Sequence, residues 1–133
     1  MEQHNANAIV VANTLATHSK VEKVYFPGLQ SGEHRRRADA YLRGGYGALV
    51  GFELKDGAEA GRRFIDALKL IYHVANIGDA RTLAIHPATT THSQLSDEDQ
   101  LSTGVTPGYV RLSVGIEHPD DIVADLAQAL ASI

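Results

Sequence analysis

Hydrophobic positions recur along this chain with two distinct periods, and switches between them mark the elements. Near the start, Ala8, Val11, Ala12 and Leu15 fall at helical spacing in an alanine-rich stretch, which predicts a helix over residues 5–18. The β-branched and aromatic run VEKVYFPGL, closed by Pro27 and Gly28, predicts a short strand ending in a turn. EHRRRADAYLRGG reads as helix, with Gly44 or Gly45 supplying a left-handed residue to end it. YGALVGFEL then alternates, placing Ala48, Val50, Phe52 and Leu54 on one face and Gly47, Leu49, Gly51 and Glu53 on the other. In AEAGRRFIDALKLI the helical period returns, with Ala60, Phe64, Ala67, Leu68 and Ile71 forming a stripe that faces a core.

The second half repeats the alternation of elements. TLAIH predicts a strand, and Ser96 followed by Asp99 resembles a capping box opening a short helix over DEDQLS. YVRLSVGIE puts Val110, Leu112, Val114 and Ile116 on one face and Tyr109, Arg111, Ser113 and Gly115 on the other. HPDDIVADLAQALASI opens with His118 as cap and Pro119 in the first turn, where Asp120 and Asp121 complement the helix dipole. Its residues Ile122, Leu126, Leu130 and Ile133 describe one apolar stripe. The strands are too few and the connections too varied for a doubly wound fold. An α+β sandwich is expected, a small and mainly antiparallel sheet with helices covering the face of Val110, Leu112, Val114 and Ile116.

Composition narrows the function classes. The 133 residues have room for one domain spanning 1–133, and 44% hydrophobic with 21% charged residues is ordinary for a globular protein. A formal net charge of −4 leaves no electrostatic footprint for nucleic acid or anionic membrane. The basic cluster Arg35, Arg36 and Arg37 lies beside Glu33 and Asp39 and reads as a solvated helix face. Without cysteine there is no disulfide scaffold, thiol nucleophile or thiolate metal site. No apolar stretch approaches the roughly 18 residues that span a bilayer, and MEQHNANAIV lacks the regions of a signal peptide, so a cytoplasmic protein is expected.

Familiar catalytic signatures are missing. His86 and His92 lack the helical spacing of a zinc protease, and neither G-x-S-x-G nor G-x-x-x-x-G-K occurs. Arg111 stands out as the lone charge within an otherwise apolar alternating strand. It is either an exposed residue on a solvated face or a guanidinium fork presented to a carboxylate, whose two oxygens match parallel N–H donors.

Two long runs are more specific. ANIGDARTLAIHPATTTHSQLS, followed by GVTPGYVRLSVGIEHPDDIVADLAQAL, resembles the end of the Cys/Met-metabolism enzymes, pyridoxal-phosphate (PLP) proteins of fold type I, in which a glycine turn, an HPA-x-x-TH block, VRLSVGIE and a terminal helix follow one another. HNANAIVVANTLATHSKVEKVYFPGL is similar to the family's entry into its C-terminal domain, so the likeness covers essentially the whole chain. Within the family, Asn76 in ANIGDA and the wording HPATTTHSQL look most like the O-acetylhomoserine sulfhydrylases; the O-succinylhomoserine sulfhydrylases are close rivals, and cystathionine γ-synthases and lyases and methionine γ-lyases stand further off.

The resemblance implies that Arg111 forms the salt bridge to the substrate's α-carboxylate and that Asn76, through side chain or neighbouring backbone, helps to hold it. A turn residue before Gly78 is the plainer reading of Asn76. It further implies that the cofactor's lysine and its other holding residues belong to segments preceding this chain. Lys20, Lys23, Lys55 and Lys69 lie in no such lysine motif. The expected picture is a C-terminal domain inactive alone, with no PLP bound to it and no metal. Its partners would be an N-terminal cofactor domain, further copies in a homo-oligomer (a tetramer in the family) and an amino-acid substrate. The implied reaction of the parent is γ-replacement, in which acetate leaves O-acetylhomoserine and sulfide or a thiol adds. A stand-alone carboxylate-binding or assembly domain is the alternative of a different class.

Overall fold

The structure, a computed structural model, describes the backbone of residues 1–133 and every side chain except that of Asp97. Strands β1 (Val21–Tyr25), β2 (Leu49–Leu54), β3 (Tyr72–His73), β4 (Leu83–Ile85) and β5 (Tyr109–Ser113) form one sheet in the order β1-β2-β5-β4-β3. All neighbours run antiparallel except β3 and β4, which are parallel. The helices are α1 (Glu2–Ala16), α2 (Gly32–Tyr41), α3 (Gly57–Ala67), α4 (Asp97–Ser102) and α5 (Pro119–Ala131). This is the α+β architecture predicted from the sequence, with β3 as an added strand.

The alternation in β2 and β5 sets the core. Val50, Phe52 and Leu54 of β2 and Val110 and Leu112 of β5 are buried with Val11 and Leu15 of α1, Phe64 of α3 and Ile122, Leu126 and Leu130 of α5. Phe52 and Phe64 meet edge to face with centroids 5.5 Å apart. Burying each such side chain stabilises the fold by about 1.5–3 kcal/mol. The stripe in VRLSVGIE holds through Val114 and then fails, since Ile116 is exposed. β5 ends at Ser113, and the Ile116 N–H turns aside to donate to the Ala80 carbonyl.

Two helix starts follow their predicted caps. Ser96 Oγ accepts the Asp99 N–H and donates to the Asp99 carboxylate, and His118 Nδ1 accepts the Asp120 N–H ahead of Pro119. Helix ends come earlier than the sequence suggests, α1 closing at Ala16 instead of residue 18. α2 stops at Tyr41, and the left-handed backbone of Gly44 (φ +83°) lies in the loop beyond it. α3 stops at Ala67, before Leu68 and Ile71, because a buried carboxylate from α5 captures the next N–H groups: Asp125 accepts from Lys69, Leu70 and Ile71 at 2.9 Å each. Ile71 remains in the core, reached by a turn instead of by helix.

His86 fastens β4 to the helical layer. Its ring is fully buried over Gly61 of α3, where a methyl group would meet ring carbon Cε1 at 2.7 Å. Nε2 lies 2.7 Å from the Pro107 carbonyl, which can only accept, so Nε2 carries the hydrogen and Nδ1 accepts from the Thr89 hydroxyl at 2.8 Å. Burial is the main cause holding the His86 pKa below its ordinary 6.5; the hydrogen bond to Pro107 opposes this, and the positive charge of Arg62 adds to it. Below pH 6.5 the unfolded chain therefore binds the proton first. The stability His86 contributes is complete above that value and is lost as pH falls toward the folded pKa. Ring signals followed by NMR between roughly pH 5 and 8 should give His86 a midpoint below 6.5, and a midpoint above it would contradict burial as the dominant influence on the ring.

Candidate substrate-carboxylate site

The sheet face turned away from α1, α3 and α5 is ordered by strand register into cross-strand rows. Tyr25, Gly51, Arg111 and Ile85 make the central row; Glu53 and Tyr109 lie on one side of it, and Leu49, Ser113, Leu83 and Tyr72 on the other. Gly51 contributes no side chain beside Arg111. The Tyr109 ring lies over it so closely that a Cβ on Gly51 would sit 2.8 Å from the ring. Tyr109 also meets Tyr25 edge to face at 5.9 Å, and Tyr25 donates to Glu53 at 2.8 Å, as does Thr106 at 2.9 Å. Burial, chiefly, and this bond to the Glu53 carboxylate push the Tyr25 pKa up to about 12. Burial likewise raises that of Tyr109, which the nearby Arg111 charge partly offsets.

Arg111 is half-buried on this face. Its Nη2 donates to the main-chain carbonyl of Asn76 at 3.1 Å. Its Nε has no partner among the described residues, and none of their carboxylates lies within ion-pair distance of the guanidinium. Arg111 therefore makes no ion pair with any described residue. The sheet and one carbonyl orient it; Nε is buried, so the donors left for a planar anion are those of Nη1 and the second hydrogen of Nη2.

The structure brings Asn76 to Arg111, but through backbone. The Asn76 side chain folds onto its own loop, Oδ1 accepting the Ile77 N–H at 2.9 Å, while the carbonyl takes the arginine. The side chain thus serves as the turn residue of the plainer reading, and the carbonyl, not the side chain, lies against Arg111. Two residues on, the Gly78 N–H donates to the Ser113 hydroxyl at 3.2 Å, which ties the loop to the row beside Arg111. The sequence reading placed Ser113 on this face without giving it that contact. Lys23, Lys55 and Lys69 are exposed and Lys20 half-exposed. A groove of about 440 Å³ between the end of β1 and α2 is lined by Phe26, Gln30, His34 and Leu42 among others and contains neither Arg111 nor Asn76.

Residues 1–131 match the family described as Cys/Met metabolism PLP-dependent enzymes. The chain belongs to this family. Within it, an O-acetyl-L-homoserine sulfhydrylase from Leptospira meyeri is 54% identical over 100% of the chain and 30% of its own length. An O-acetyl-L-homoserine sulfhydrylase from Thermus thermophilus is 53% identical over 98% of the chain and 31% of its own. The crystal structure of an O-acetylhomoserine (thiol)-lyase from Campylobacter jejuni, which carries a pyridoxyl phosphate on a lysine, superposes with a TM-score of 0.89 at 42% identity, covering 98% of this chain and 31% of that one. The chain spans under a third of the length of these relatives and corresponds to their C-terminal part. Membership of the family agrees with the motifs that carried the resemblance, VRLSVGIE and HPATTTHSQL.

Proposed function

We propose that this chain is the substrate-orienting C-terminal domain of an O-acetylhomoserine sulfhydrylase, and that Arg111 receives the α-carboxylate of the amino-acid substrate. The observation that carries the reading is a half-buried guanidinium on the sheet face turned away from α1, α3 and α5, aligned by the Asn76 carbonyl and lacking a carboxylate partner among the described residues. Such a group stabilises an incoming carboxylate by paired, charge-assisted hydrogen bonds. Fixing one end of the substrate also fixes where its reacting carbon lies, so binding energy becomes alignment. Asn76 acts in this scheme by steering Arg111, with its own side chain securing the turn.

The parent reaction is γ-replacement on O-acetyl-L-homoserine. The bond between Cγ and the ester oxygen breaks, acetate departs, and sulfide or a thiol forms the new C–S bond. The PLP chemistry of that reaction is assigned to the portion of the parent that precedes this chain, which is also its principal partner, within a cytoplasmic homo-oligomer. The sulfhydrylases lead among family members because two of them are more than 50% identical to this chain.

A direct assay tests this. The full-length protein carrying this domain, supplied with PLP, O-acetyl-L-homoserine and sulfide, should release acetate and homocysteine in equal amounts and turn over O-succinyl-L-homoserine or L-methionine more slowly. The 133-residue chain incubated alone with PLP and borohydride should yield no single lysine labelled stoichiometrically. Turnover by that chain unaided would sink the reading.

A further inference from the structure

At one end of the sheet, where β2 and β4 begin and β5 ends, three loops converge, and the first turns of α1 reach all of them. His4 Nε2 donates to the Asp79 carbonyl at 3.2 Å. Asn5 donates to the Gly44 carbonyl and accepts from the Gly47 N–H, both at 3.1 Å. Asn7 donates to the carbonyls of Gly115 and Glu117 at 3.0 and 2.8 Å. Helix packing alone does not require this. Asn7 is 1% exposed within the apolar stripe of α1, and its carbonyl oxygen is also engaged, by Gln3 at 2.7 Å. A buried amide satisfied at both ends fixes one arrangement of its partners.

Those partners lead to the Arg111 site. The Glu117 carboxylate accepts from the Thr82 N–H and hydroxyl at 2.6 and 2.8 Å, and the Thr82 hydroxyl in turn accepts the Gly115 N–H at 2.9 Å. The segment from Tyr72 to Arg81, which carries Asn76, is exposed throughout. With no buried side chain to anchor it, hydrogen bonds set its position. Its start is held by the Tyr72 and Val74 N–H groups on the Thr82 and Ala84 carbonyls; further along, beyond the Asn76 carbonyl, the Gly78 N–H and a local bond from the Arg81 N–H to the Asp79 carboxylate, the ties to other elements are the bond of Asp79 to His4 and that of Ala80 to the strand exit held by Asn7.

We propose that His4 and Asn7 are positioning residues for the carboxylate site, holding the loop and the exit of β5 so that Asn76 keeps its carbonyl on Arg111. This rests on the reading of Arg111 given above. In the geometry described, His4 acts at three residues' remove from Asn76, and Asn7 acts through the Gly115, Glu117 and Thr82 circuit. Neither touches the substrate.

His4 provides the cleaner test, because it is half-exposed and its loss leaves the core intact. In the full-length holoenzyme, His4→Ala should raise KM for O-acetyl-L-homoserine about threefold to tenfold with a smaller change in kcat, as expected when a single bond that aligns the fork is removed. Hydrogen exchange in the 74–81 segment should rise and the melting temperature should hold. His4→Gln, whose amide nitrogen can take the place of Nε2, should restore KM and exchange. A wild-type KM in His4→Ala would overturn the proposal, and so would a KM defect that comes with a lowered melting temperature and is not rescued by glutamine. Arg111→Ala run alongside separates the levels. If it raises KM while His4→Ala does not, only the positioning role fails; if it leaves KM unchanged, the carboxylate reading fails and takes this inference with it.

Discussion

Arg111→Lys in the full-length enzyme is expected to raise KM for O-acetyl-L-homoserine about 10- to 100-fold, the range spanned by a lost charge-assisted hydrogen bond. Lysine keeps the charge but offers a point donor in place of a planar fork, so it cannot hold the Asn76 carbonyl and two carboxylate oxygens in one plane. A lower kcat would accompany the change to the extent that the substrate's γ-carbon swings off its line. Stability should move by no more than about 0.5 kcal/mol, since no ion pair with a described residue is broken. A structural arginine gives the opposite pattern, a lowered melting temperature with KM near wild type. An unaltered kcat/KM would remove Arg111 from the site and leave the sulfhydrylase reading on family membership alone.

Periodicity made Arg111 conspicuous but could not say what faces it. The alternation in β2 and β5 was legible because one face of each strand is buried by helices, which forces period-two patterning on Val50, Phe52, Val110 and Leu112. Local chemistry was equally legible at Ser96 and His118, whose caps lie within three residues of their partners. Strand β3, only Tyr72 and His73, is too short to alternate, and both residues are exposed. Its pairing with β4 is set by tertiary context. The contact of Asn76 with Arg111 spans 35 residues of sequence, and the ties from Asn7 span more than 100. One signal for Asn7 was present, a polar residue standing four before Val11 in the stripe of Ala8, Val11, Ala12 and Leu15. Such a residue is either a misfit or a buried amide with distant partners. Family resemblance supplied the role proposed for Arg111, and the fold sets the Asn76 carbonyl against it.

The early end of α3 has a cause that can be removed, and Asp125→Ala is expected to cost the 133-residue chain about 2–4 kcal/mol. The carboxylate accepts from three consecutive backbone N–H groups and from Gln128 Nε2 at 3.0 Å. Truncation orphans these donors unequally. Lys69 and Leu70 are exposed and can turn to water, whereas Ile71 is buried and its N–H would lose its partner in the core. Alanine returns roughly 0.5 kcal/mol through its better helix propensity within α5, too little to offset the loss. Asp125→Asn should fall between wild type and alanine. Its single oxygen can serve Leu70 and Ile71, but its amide then points hydrogens at the Lys69 N–H and at Gln128, whose own amide is committed to the Ala67 carbonyl at 2.7 Å. Urea denaturation of the three proteins gives the order directly, with midpoints falling from Asp to Asn to Ala at constant slope. Equal midpoints would show that α3 ends at Ala67 for some reason other than the capture of its following N–H groups by Asp125.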